Sequence, residues 1–152
     1  MAKINDKIEA FKLDTDQGKF YSKDHIGKNL VLFFFQKADT TGCTKESISF
    51  SNLINDFENL NTTVIGISKD TVEKQKKFKS KYDLKCILGS DIDIKICSKF
   101  GVWVEKSMYG KKYMGIQRST FLVNSEGKIQ HIWSKVKVPG HAEEVLEVVK
   151  KL

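Results

Sequence analysis

The run Asn29-Leu-Val-Leu-Phe-Phe-Phe35 sets six apolar residues in succession after Asn29. An apolar run of that length, bounded by polar residues, fits a strand buried on both faces. Such a strand belongs inside a sheet covered by helices. The chain then turns polar through Gln36-Lys-Ala-Asp-Thr-Thr-Gly42 and reaches Cys43. Beyond Cys43, the residues Phe50, Leu53, Ile54, Phe57 and Leu60 recur at three- and four-residue steps, which predicts a helix with one apolar stripe. A buried strand therefore feeds a short loop, and the loop delivers a cysteine to the first turn of a helix.

That placement has chemical consequences. The first turn offers unpaired N–H groups and the positive end of the helix dipole, and both favour thiolate over thiol. Cysteines so placed titrate between about 3.5 and 7.5, against about 8.5 for a free one. The commoner fate of a lone cysteine is to serve as a small buried apolar residue. Cys43, however, lies among Thr40, Thr41, Gly42, Thr44, Lys45 and Glu46 and off the apolar stripe. The reactive reading is the stronger one.

The 152 residues suit a single domain, residues 1–152, with a sizeable core. No apolar run approaches the roughly 20 residues that cross a bilayer, and the first residues lack the apolar centre of a signal peptide. Residence in the cytoplasm, away from membranes, is expected. Three cysteines point to reduced thiols rather than a disulfide framework. His25, His131 and His141 are scattered, so no metal or other cofactor is expected. The net charge of +7 is concentrated partly in Lys74-Gln-Lys-Lys-Phe-Lys-Ser-Lys81. A solvated helix face explains that run better than a nucleic-acid surface, because no aromatic pattern accompanies the charges.

In order, residues 9–21 read as a hairpin turning at Asp14–Gly18, and Ser22–Lys28 as a short link. After the strand, loop and helix come a strand at Thr62–Ile67, a helix at Val72–Tyr82 and a strand at Lys85–Leu88. Gly89-Ser-Asp91 opens a helix with Ile92, Ile96 and Phe100 inward. Val102–Gln117 has no clear period and reads as a long surface loop. Ser119–Val123 and Lys128–Trp133 form a hairpin, and His141–Leu152 a final helix with Val145, Leu146, Val149 and Leu152 facing the core. Alternating strands and helices closed by a hairpin and helix describe a layered α/β domain. Its reactive residue sits at the carboxyl end of a central strand.

Phe34-Phe-Gln-Lys-Ala-Asp-Thr-Thr-Gly-Cys-Thr-Lys-Glu46 resembles the active-site signature of peroxiredoxins of the bacterioferritin-comigratory, or Q-type, class. Val64–Asp70, Lys99–Trp103, Glu105–Lys111, Gly115–Leu122 and Lys135–His141 agree with it. The resemblance implies a thioredoxin-like fold, a central mixed β-sheet flanked by helices with an N-terminal hairpin. It also implies a thiol peroxidase acting on hydrogen peroxide and organic hydroperoxides, with thioredoxin or another thiol as electron donor, as a monomer or weak homodimer. Cys43 matches the peroxidatic cysteine, Thr40 the active-site threonine and Arg118 the active-site arginine. In those roles the Thr40 hydroxyl donates to the thiolate and accepts from the peroxide, while Arg118 supports the thiolate and the charge on the leaving oxygen.

Two departures from that class stand out. Gln36 occupies the place of a proline seven residues before the peroxidatic cysteine, and Thr41 replaces another frequent proline. Gln36 is expected to leave a pocket that forms but is wetter. The alternative is a thioredoxin-fold binding or redox-sensing module with weak or no peroxidase activity. The resolving cysteine is also missing from its two usual places, where Ile48 and Lys79 stand. Cys86 and Cys97 read as core thiols, so reduction of the sulfenic acid by an outside thiol is expected. Cys86 as an unconventional resolving residue is the second choice. A dithiol reductase is disfavoured, because Thr40 stands where the first thiol of Cys-x-x-Cys is needed.

Overall fold

Val31, Leu32, Phe33 and Phe34 have no exposed surface, and the strand that carries them is the third from one edge of a seven-stranded sheet. The structure is a computed structural model and describes residues 2–152. In chain order it contains β1 (Lys12–Thr15), β2 (Gly18–Tyr21), a 3-10 turn at Ser22–His25, β3 (Asn29–Phe34), α1 (Thr41–Asn52) and α2 (Ile54–Asn59). Next come β4 (Thr62–Ser68), α3 (Val72–Tyr82), β5 (Ile87–Ser90), α4 (Lys95–Lys99), β6 (Trp103–Met108) and β7 (Lys111–Ile116). The chain closes with β8 (Ser119–Val123), β9 (Ile129–Ser134) and α5 (His141–Lys150).

The sheet order is β2-β1-β5-β4-β3-β8-β9. Strands β3, β4 and β5 run parallel, and β1 and β8 join them antiparallel, giving a mixed sheet. Side chains alternate across β3. Val31, Phe33 and Phe35 face a core built with Phe50, Phe57, Phe78, Val145 and Val149 of the helices α1, α2, α3 and α5. Leu30, Leu32 and Phe34 face the other core, with Leu13, Phe20, Ile96, Phe100 and Phe121. The Phe33 ring stacks on Phe50 with centroids 4.5 Å apart. Gly66 makes this possible, since a Cβ there would lie 2.5 Å from the Phe33 ring. The strand thereby seats the helix that carries Cys43.

Several expectations need correction. The helix after Cys43 is interrupted at Leu53, where α1 ends and α2 begins, and Leu53, Ile54 and Leu60 are only partly buried. The hairpin turn is tighter than expected, because Asp14 and Thr15 pair with Lys19 and Gly18 inside the ladder. The fifth strand starts at Ile87 and includes Gly89 and Ser90, leaving only Lys95–Lys99 as helix. Ile92 is 57% exposed and Leu152 is 52% exposed, so neither is a core residue. The supposed loop Val102–Gln117 is the antiparallel hairpin β6–β7, turning at Tyr109-Gly110. Most of its residues are solvated on both faces, which erases the alternation by which a strand is read.

Candidate active site

The register of β3 and β8 brings the distant parts of the site together. Phe34 pairs with Ser119, so one antiparallel step further Arg118 comes alongside Phe35 and Gln36. The Phe35 N–H donates to the Ile67 carbonyl, continuing the sheet to the start of the loop. The loop is then held from two sides. The Ala38 N–H donates to buried Asp70, 2.8 Å away, and Asp70 also accepts from Ser68 at 2.6 Å. Asp39, at φ +64°, accepts from Lys81 of α3 at 2.8 Å and from the Tyr82 hydroxyl. The lysine and tyrosine hydrogen bonds hold the exposed Asp39 carboxyl below its ordinary range.

Cys43 lies in the first turn of α1, and Arg118 Nη2 donates toward its Sγ from 3.4 Å. The same guanidinium donates from Nη1 to Glu46 Oε1 at 3.1 Å and from Nη2 to Gln36 Oε1 at 3.1 Å. It lies against Gly42, where a Cβ would come within 2.9 Å of Nη2. Arg118 is thus held by the Glu46 carboxylate over the bare backbone of Gly42, and it faces the cysteine sulfur with the Gln36 amide beside it. Cys43 itself has no exposed surface and belongs to the core that holds Phe33, Phe35 and Phe50. The expectation that Cys43 lies off the apolar stripe is corrected here: seven residues before Phe50, it belongs to the same buried core. The sulfur combines an apolar bed with a cationic roof.

Glu46 was not singled out by its position in the sequence. Three residues after Cys43, it shares that face of α1. That spacing was the available signal, obscured because a helical glutamate normally reads as solvated. Its side chain is 1% exposed, and Oε2 has no hydrogen-bond partner among the described residues. Burial pushes its carboxyl up to about 7, with Arg118 pulling the other way. Lys106 of β6 was also missed. It is half-buried, and burial first and Arg118 second lower its ammonium group, while Cys43 acts in the opposite sense.

Thr40 is the N-cap of α1, yet its hydroxyl donates to the Lys37 carbonyl at 2.8 Å and caps no first-turn N–H. The expected hydroxyl contact with the sulfur is absent, because the loop carbonyl claims the donor. Cys86 and Cys97 are free and buried. Burial pushes the Cys86 thiol up to about 12, and burial together with Asp91 pushes Cys97 up as well. Cys86 belongs to the same core as Cys43, and Cys97 to the core on the opposite face of the sheet. No helix is long and apolar enough to cross a membrane, and no cluster of metal-ligating side chains occurs among the described residues.

Residues 4–132 match the AhpC/TSA family. A putative peroxiredoxin Bcp of Coxiella burnetii is 44% identical over 144 residues, covering 94% of this chain and 95% of that protein. Among solved structures, a PrxQ mutant of Xylella fastidiosa superposes with a TM-score of 0.95 at 36% identity, covering 99% of this chain and 97% of that one. The bacterioferritin comigratory protein of Xanthomonas campestris, described for its alkyl peroxide reduction activity, superposes with a TM-score of 0.90 at 36% identity. It covers 96% of this chain and 98% of that one.

Proposed function

The chain belongs to the AhpC/TSA family, as a thiol peroxidase of the Bcp type with a thioredoxin-like fold, and from that premise we propose that Cys43 is the peroxidatic residue and Arg118 its electrostatic partner. The carrying observation is the 3.4 Å contact between Arg118 Nη2 and Cys43 Sγ. A guanidinium keeps its charge at any working pH, so it favours an anionic sulfur beside it. The thiolate attacks the terminal oxygen of a hydroperoxide, an S–O bond forms, and the O–O bond breaks. Cys43 is left as the sulfenic acid, and the departing alkoxide takes a proton from water. Arg118 and the uncapped first turn of α1 supply donors where negative charge develops on that oxygen. Thr40 joins this set if its hydroxyl turns from Lys37 to the substrate.

Hydrogen peroxide and alkyl hydroperoxides are the substrates in this reading, as the alkyl peroxide activity of the Xanthomonas protein suggests. Thioredoxin or another external thiol reduces the sulfenic acid, because Cys86 and Cys97 are buried thiols held protonated. The protein works as one domain spanning residues 1–152, in the cytoplasm, as a monomer or weak homodimer. The test is peroxide consumption driven by thioredoxin and its reductase, or by dithiothreitol. Turnover in the wild type that vanishes in Cys43→Ser supports the assignment; turnover that survives this change refutes it.

A further inference from the structure

Both hydrogens of one Arg118 nitrogen are already committed in the resting site. Nη2 reaches Cys43 Sγ at 3.4 Å and Gln36 Oε1 at 3.1 Å. A guanidinium only donates, so the atom of Gln36 that faces it must be the amide oxygen. Nη1 meanwhile serves Glu46. Cys43 has no exposed surface, whereas Gln36 is exposed. A hydroperoxide that comes within bonding distance of the sulfur must therefore move something, and the exposed carboxamide is the cheapest group to move. The guanidinium is held independently, by its ion pair with buried Glu46 and by its seat on Gly42. Gln36 is thus not needed to keep Arg118 in place.

We propose that Gln36 is a built-in competitor of the substrate: its amide oxygen occupies the hydrogen-bond position on Arg118 Nη2 that a peroxide oxygen takes during attack by Cys43. The proposal rests on the peroxidase reading and adds to it a displacement step. The carboxamide swings toward solvent, Nη2 is released, and the peroxide accepts its hydrogen bond. The covalent chemistry is unchanged. The sulfur is oxidised, the O–O bond is reduced, and the alkoxide leaves beside the nitrogen that Gln36 has vacated. Because the carboxamide is tethered next to its donor, it competes at high effective concentration. It slows every peroxide that needs this donor by the same factor.

Single-turnover oxidation of Cys43 by hydrogen peroxide, followed with Gln36→Ala, Gln36→Leu and Gln36→Glu, tests this. Giving up one hydrogen bond to a neutral acceptor corresponds to roughly two- to tenfold in rate. Both Gln36→Ala and Gln36→Leu are expected to raise the second-order rate constant by that factor, with the maximal rate at saturating peroxide little changed. The leucine fills the space without an acceptor, so it separates loss of the hydrogen bond from mere widening of the pocket. Gln36→Glu replaces a neutral competitor with a charged one and is expected to slow the reaction by roughly tenfold or more. Thermal melting of each variant checks the fold. An active wild type with Gln36→Ala equal or slower, or with only Gln36→Ala faster, overturns the competitor role alone. A wild type inert toward peroxide overturns the peroxidase reading and the competitor role together.

Discussion

Arg118 reaches Cys43 across 75 positions of sequence, with Nη2 3.4 Å from Sγ. The contact exists because β8 pairs antiparallel with β3 in a register whose last pair, Phe34 with Ser119, leaves Arg118 next to the loop that carries Cys43. Arg118→Met is expected to lower the rate of Cys43 oxidation by about 10²- to 10³-fold, the usual cost of removing one preorganised donor for developing charge. Arg118→Lys is expected to recover little, since an ammonium cannot serve Glu46 and the sulfur from one rigid fork. Stopped-flow oxidation of the two variants checks both statements.

Gly42→Ala is expected to separate activity from stability. The added Cβ would meet Nη2 at 2.9 Å and push the guanidinium off its seat. Displacement of a catalytic group on that scale lowers the rate by ~10- to ~100-fold. Alanine is the better helix former, so the melting temperature is expected to hold or rise. A rate equal to wild type would show that the guanidinium slides without loss.

Glu46 makes stability depend on pH in a particular direction. Burial raises its folded-state value from 4.5 to about 7. Between those limits the folded chain binds more protons than the unfolded chain, so this group's contribution to stability falls as pH rises. Glu46→Gln removes that slope. Its stability relative to wild type is expected to improve by up to ~3 kcal/mol between pH 4.5 and 8. Denaturant titrations at several pH values measure the difference, whatever the offset from breaking the pair with Arg118.

His141 works in the opposite sense. It is buried against Thr120, Phe50 and Trp133, and burial pulls its folded-state value from 6.5 down to about 4. In that window the unfolded chain binds the extra proton, so stability is full above pH 6.5 and falls as pH drops toward 4. The size is on the order of 3 kcal/mol across the window. Glu46 and His141 therefore offset each other in the wild type. His141→Asn is expected to flatten the acid side of the His141 contribution and expose the Glu46 slope, readable in the same titrations.

The legible parts of the fold are those where one physical rule acts alone. β3 stands out because both of its faces are buried, and α3 runs from Val72 to Tyr82 as expected, with Thr71 capping it by accepting from the Lys74 N–H. Cys43 could be placed in a first turn from the change of period around it. Arg118 became recognisable through resemblance, since its meeting with Cys43 is a matter of sheet register. The β6–β7 hairpin was not legible, because hydrogen bonding along the ladder leaves no trace in residues solvated on both sides. Glu46 and the turned hydroxyl of Thr40 depend on which neighbour wins a donor, and that competition is decided in three dimensions.

Intact-mass and peptide analysis after one equivalent of hydrogen peroxide tests the central assignment most directly. A gain of one oxygen, located at Cys43 and erased by an added thiol, is the expected result. A Cys43 that stays reduced while peroxide is consumed, or while Met108 and Met114 take up the oxygen, would contradict it.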